Sequence, residues 1–152
     1  MKIDVGKFKA DIARVKGKLD VAKQLLNGRE VMTGIAEHAK GIVARRTQRG
    51  FDSEGRAFAP YTEAYGRIRA KAGRRSRPDL LMTGQMLGDM QTSYIGKGKA
   101  RVYFARDEQG IKAAGNSTKR PFFEVETEKE KNELVRVAQT LVKKKLKAWG
   151  LL

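Results

Sequence analysis

The sequence predicts an α+β domain: an N-terminal helical hairpin, a small antiparallel β-sheet with a long basic loop, and a C-terminal amphipathic helix packed on the sheet. Three observations lead there. Apolar residues recur at helical spacing from Val5 to Leu26 and from Val31 to Ile42, and again from Val135 to Trp149. Between these helical stretches, β-prone residues over 90–105 surround a glycine-punctuated turn. At 152 residues the chain fits a single domain whose core needs no disulfide. Its expected divisions are a helical hairpin over 1–48, an ordered loop and basic loop over 49–79, a helix or turn with a β-hairpin over 80–106, a polar loop over 107–126, and a helix over 127–149.

In the first segment Val5, Phe8, Ile12, Val15, Leu19, Ala22 and Leu26 alternate spacings of three and four, which puts them on one helical face. Asn27-Gly28 is a good stop, because both residues tolerate the left-handed conformation. A second series, Val31, Ile35, Ala39 and Ile42, follows after a connection short enough for an antiparallel pair. Gly34 and Gly41 each cost up to about 1 kcal/mol of helix propensity, and close backbone approach would repay it. The heptad-like first helix could form an oligomerising coiled coil, but about three heptads that include Gly17 pack equally well on the protein's own core, which is the preferred reading.

From Gly50 to Tyr61 the periodicity lapses into an ordered loop anchored by Phe51, Phe58 and Tyr61, and Thr62 to Ala70 can form a short helix. Residues 71–78 are dense in like charge, so this run should be mobile unless bound. An apolar cluster from Leu80 to Leu87 is interrupted by Thr83-Gly84. Alternation from Met90 to Ile95, Gly96-Lys97-Gly98-Lys99 and the strand-prone Arg101–Ala105 then read as a β-hairpin. A phosphate-binding loop would need Gly, four residues and Gly-Lys-Ser/Thr, and this glycine run does not match. Thr127 to Glu130 fits a capping box ahead of a stripe of Val135, Ala138, Val142, Leu146 and Trp149, with Leu134 and Leu141 beside it. A Glu-rich start and a Lys-rich end complement the helix dipole, so Lys143-Lys144-Lys145 reads equally as a solvated helix end or a basic patch.

The charge bounds the function. Thirty-three Lys and Arg against 17 Asp and Glu leave +16, a field that favours nucleic acid, an acidic membrane or an acidic protein surface. With no Cys and one His, disulfides and thiolate chemistry are excluded, and zinc sites and His-dependent dyads are left with one imidazole. His38 lies on a helix without an acidic partner at helical spacing and reads as structural. Asp52-Ser53-Glu54-Gly55 lacks the ligands of a calcium loop and reads as a turn, and Asp107-Glu108 as solvated carboxylates. No enzyme, cofactor or metal is expected. Neither a membrane span of roughly 18 apolar residues nor the apolar core of a signal peptide is expected, so a protein that stays in the cytosol is. Tyr61 and Tyr65 among the arginines suit non-specific contact with nucleic acid, but no reader motif is present.

Three motifs, in order, resemble those of the virion morphogenesis, or tail completion, proteins of tailed bacteriophages, over about Val31 to Leu146. The first runs from Phe51 through Gly55 and Phe58 to Pro60, with Phe58 where the family usually has Trp. The second is Leu80-Leu81-Met82-Thr83-Gly84-Gln85-Met86, with Met86 replacing Leu, and the third is Arg120-Pro121-Phe122-Phe123, followed by Glu124 where Gly is frequent. The resemblance implies a non-catalytic structural component, found in the virion tail or neck and in host cytoplasm during assembly. It implies a homo-oligomeric ring, with six subunits the leading expectation, whose partners are tail-tube or terminator and head-connector proteins. Arg67, Arg69, Lys71, Arg74, Arg75 and Arg77 are then the residues expected on a flexible loop that meets partner protein or packaged DNA. A non-specific nucleic-acid-binding protein is the main alternative, and a small nuclease or toxin a third.

Overall fold

The computed structural model describes residues 5–151, with side chains from residue 16 onward. Its spine is α2 (Arg29–Gln48), which is buried on two faces and divides the apolar interior into two clusters. On one face Val31 joins Leu25 of α1 (Val5–Asn27) with Val142 and Leu146 of α6 (Glu128–Ala148). On the other, Val43 joins Phe58, Leu80, Met86, Leu87, Met90, Ala113 and the fully buried Phe122.

Gly28 alone separates α1 from α2, and it is extended (φ −73°, ψ 147°) rather than left-handed as expected. Its missing side chain still matters, because a Cβ there would lie 3.1 Å from the Leu25 carbonyl oxygen. Val5, Phe8, Ile12 and Val15 of the expected α1 stripe lie outside the described side chains. Further along, Val21, Ala22 and Leu25 face the cluster, whereas Leu19 and Leu26 are exposed. The neighbouring helices approach the flank of the predicted stripe, a choice that spacing within α1 cannot make.

Helix α6 runs antiparallel to α2, with Glu130 near Arg46, Leu141 against Gly34 and Lys145 paired with Glu30. A Cβ on Gly34 would sit 2.8 Å from Leu141 Cδ1, so this glycine does permit the close approach expected of it. At Gly41 the nearest group is only the Arg45 guanidinium, part of a flexible side chain. Val142 and Leu146 are buried as expected, but Val135 and Trp149 face solvent. Helix α6 packs on α2 and α1, and α2 packs on the sheet. The C-terminal helix is thus one layer removed from the sheet rather than directly upon it.

The sheet is the expected hairpin, β1 (Met90–Gly96) antiparallel to β2 (Lys99–Phe104). Lys97 and Gly98 both have positive φ (49° and 68°), the signature of a type I′ turn, whose twist matches that of paired strands. The Tyr94 hydroxyl donates to the Asn27 carbonyl at 2.8 Å, and a Cβ on Gly98 would collide with the Asn27 side chain, so the hairpin tip docks at the end of α1. At the open end, the Asp89 carboxylate accepts from the Arg106 backbone N–H at 2.8 Å and from its Nε at 2.7 Å.

Three shorter helices complete the chain: α3 (Glu63–Lys71), α4 (Gln85–Gly88) and α5 (Asp107–Lys119). The last corrects the expected loop over 107–126, of which 13 residues are helical. Helix α5 carries Gly110, Gly115 and the run Asn116-Ser117-Thr118, all turn formers, and its most hydrophobic side chain, Ile111, is 73% exposed. Its inward residues are Gln109 and Ala113, so packing holds a helix that propensity does not announce.

The Arg46 side chain, at the end of α2, is buried. Its Nη1 donates to Glu130 Oε2 at 2.7 Å, and its Nη2 to the carbonyls of Phe122 at 2.6 Å and Glu124 at 2.5 Å. Thr127 Oγ1 accepts from the Glu130 N–H as a capping box requires, but the Glu130 carboxylate turns to Arg46. Replacing Arg46 by Ala would leave two carbonyls and a carboxylate without their donor. We expect Arg46→Ala to cost about 3–5 kcal/mol, read as a lower urea midpoint at unchanged m-value, whereas Val135→Ser should change stability by under about 0.5 kcal/mol.

The Arg106 backbone N–H, followed by its guanidinium, holds the Asp89 carboxyl below the usual carboxylate range despite burial. A folded-state pKa below the unfolded value favours the ionised form. Asp89 therefore contributes stability that is complete at neutral pH and drains away as pH falls below the ordinary carboxylate pKa. Asp89→Asn should lower the thermal midpoint at pH 7 and narrow its gap to wild type near pH 3, as calorimetry at the two pH values would show.

Candidate functional site

The site grows from the segment 50–61. Asp52 turns this segment by accepting the N–H groups of Glu54 at 3.0 Å and Arg56 at 2.8 Å, with Arg56 Nε at 3.0 Å, which confirms a turn at Asp52–Gly55. Burial pushes the Asp52 carboxyl up, but these hydrogen bonds from Arg56 and Glu54 outweigh it and leave the pKa lowered. Gly55 has φ 82°, a left-handed value that side chains rarely adopt. Phe58 enters the core, while Phe51 is largely exposed, so one of the two phenylalanines anchors the loop.

Tyr61 is the centre of the arrangement. The Arg69 and Arg120 guanidinium carbons lie 4.9 and 4.8 Å from its ring centroid, Tyr65 meets the ring edge-on at 4.9 Å, and its hydroxyl accepts from the Leu80 N–H at 3.2 Å. Arg120 also donates to the Ala59 carbonyl at 3.0 Å and to the Pro60 carbonyl at 2.9 Å, and the Ser53 N–H bonds the Pro121 carbonyl at 2.8 Å. Thr83 Oγ1 accepts from the Gln85 N–H at 3.4 Å, and Gly84, at φ 81°, turns the chain into α4.

The six basic residues expected on a flexible loop divide into two groups. Arg67, Arg69 and Lys71 are helical, on α3. Arg69 is 0% exposed and cannot face a partner: its Nη2 donates to Asp79 Oδ1 at 2.7 Å and its Nε to the Arg75 carbonyl at 3.1 Å. The Arg74 N–H returns to the Arg69 carbonyl at 2.9 Å. The segment expected to be mobile is thus fastened from within by one of its own arginines, an arrangement that a local count of like charges overlooks. Arg67 is exposed and paired with Glu63, Arg77 reaches the Gln48 carbonyl at 3.2 Å, and Lys71, Arg74 and Arg75 also face solvent.

The segments around Pro60, Thr83-Gly84 and Arg120 converge on one groove of about 790 Å³. Pro60, Tyr65 and Met82 wall it, Gln109, only 1% exposed, lines it from α5, and Lys112, Lys119 and Arg120 supply positive charge. Among the described residues no carboxylate lines it. The α5 contribution escaped sequence reasoning because 107–120 read as loop. The signal was present in Lys112, Asn116 and Lys119, spaced four and three apart on one helical face.

Outside the groove, His38 Nε2 lies 2.7 Å from Glu133 Oε1, a partner on α6 that spacing within α2 could not reveal. Among the described residues no group of three or more His, Asp or Glu side chains is placed to hold a metal ion, and no helix is long and apolar enough to cross a membrane. No protein-family model, curated protein or solved structure matches this chain.

Arg69→Ala would leave the buried Asp79 carboxylate with the Leu81 N–H but no counter-charge, and would release the Arg75 carbonyl. We expect a loss of about 3–5 kcal/mol, with the amides of residues 72–79 losing hydrogen-exchange protection before those of α2 do.

Proposed function

We propose that this protein is a structural virion component that completes a phage tail or joins tail to head at the neck, acting as a closed ring of identical copies through protein–protein contacts and without catalysis. The observation that supports this reading most directly is the convergence of the three motif segments. Arg120 and Pro121 bind the backbone of the loop that carries Gly55, Phe58 and Pro60, and Thr83-Gly84 lies on the same groove. Phe122 is fully buried beneath them. The shared residues build a surface instead of aligning reactive groups, as an assembly protein requires.

The outward Lys71, Arg74, Arg75 and Arg77 suit either packaged DNA or an acidic neighbour in a neck, since a field of one sign speeds encounter with both. The same side chains favour the second reading, a protein that binds nucleic acid without sequence preference. Light scattering across protein concentration and salt, with and without a short random duplex, separates the two. The assembly reading expects a discrete species of about 100 kDa, near six copies of the 17.0 kDa chain, without DNA. A chain that gains mass only with DNA supports the alternative. Arg74, Arg75 and Arg77 changed together to Gln should leave the ring mass intact while cutting the salt-dependent affinity for duplex at least tenfold.

A further inference from the structure

The groove has both the shape and the charge of a docking surface, and its walls indicate the class of occupant. The Tyr61 ring is already packed by the Arg69 and Arg120 guanidinium groups and by Tyr65, which makes it a poor platform for a base. The remaining walls, Pro60, Met82 and Met86 among them, suit aliphatic or aromatic side chains, and the rim carries Lys112, Lys119 and Arg120. Lys112 is held by Glu108 one turn away, whereas Lys119 and Arg120 have no carboxylate partner among the described residues. A protein segment that presents carboxylates is complementary to this rim; stacked bases are not.

Such a segment exists on this chain. Most described carboxylates are ion-paired, as expected where cations outnumber acids by 33 to 17. Glu124 and Glu126, close together and both exposed, have no ion pair among the described residues. Ser53 Oγ donates to Glu126 at 3.2 Å, and Arg56 supplies only a longer-range charge while it hydrogen-bonds Asp52. Hydrogen bonding and repulsion from Glu126 hold the Glu124 carboxyl above its usual range, the mark of negative charge without a neutralising neighbour.

We propose that the groove lined by Pro60, Tyr65, Met82, Lys112 and Lys119 is the docking site for a second copy of this chain, which presents Glu124 and Glu126. This rests on the assembly reading above and names the interface that reading needs. Each copy carries both halves, so contacts can propagate head to tail until a ring closes. Arg120 takes part through its charge while its hydrogen bonds remain with Ala59 and Pro60.

The test is charge reversal with complementation. One variant is Lys112→Glu with Lys119→Glu, the other Glu124→Lys with Glu126→Lys; all four side chains are exposed, and circular dichroism checks that each variant folds. Sedimentation velocity at low salt should show wild type assembled and each variant alone associating at least tenfold more weakly. An equimolar mixture should recover assembly, because every contact between unlike variants pairs opposite charges. Milder Lys112→Gln with Lys119→Gln should weaken association by a smaller factor, and raising salt should dissociate wild type. Wild-type assembly by both reversed variants overturns this interface while the ring reading stands. A wild type that remains monomeric at every concentration overturns both, and failure of the mixture to recover overturns the pairing of these two surfaces.

Discussion

The buried guanidinium of Arg46 is the constraint on which most of the architecture depends. It sits where α2 ends, and its donors reach the Phe122 and Glu124 carbonyls and the Glu130 carboxylate. Phe122 enters the core beside the sheet, and Glu130 opens the helix that covers the other face of α2. One side chain thus sets where the chain crosses from one cluster to the other. A buried charge is costly to desolvate, and it persists because it answers one buried and two part-buried acceptors that would otherwise lose their donor.

Arg69 repeats this logic in the segment that joins α3 to α4. Its pair with Asp79, its bond to the Arg75 carbonyl and its place against Tyr61 hold a loop whose other cations repel one another. Two of the many cations in this basic protein therefore work as internal ties and contribute little to the outward field. The outward positive charge is carried by the remainder, including the exposed Lys71, Arg74, Arg75 and Lys119. Glu130 and Asp79 are withdrawn with them as their partners, so the net charge stays at +16 and is carried by the exposed cations. The groove gains its sign from α5 and Arg120, with no acid among its described walls.

Where local chemistry decides the outcome, the sequence was sufficient. The β-hairpin follows from alternation and from glycines that admit positive φ, and the start of α6 from Thr127 placed three residues before Glu130. The boundary near Asn27-Gly28, the turn at Asp52 and the close approach at Gly34 were legible for the same reason, since each is set by residues a few positions apart or by the absence of a Cβ. The three motif segments were visible as separate stretches, but their meeting around Tyr61 was not.

Tertiary structure decided what depends on the direction from which a neighbour arrives. It chose Val21 and Leu25 over Leu19 and Leu26, exposed Val135 and Trp149, and placed α2 between the C-terminal helix and the sheet. It made a helix of Asp107–Lys119, whose own residues favour turns, by burying Gln109 and Ala113. It turned Arg69 inward and joined His38 to Glu133 across 95 positions. Periodicity and capping report energies within one element, so the sequence by itself determined the elements and their ends. Burial, ion pairing and groove formation are energies between elements, settled only when distant segments come together.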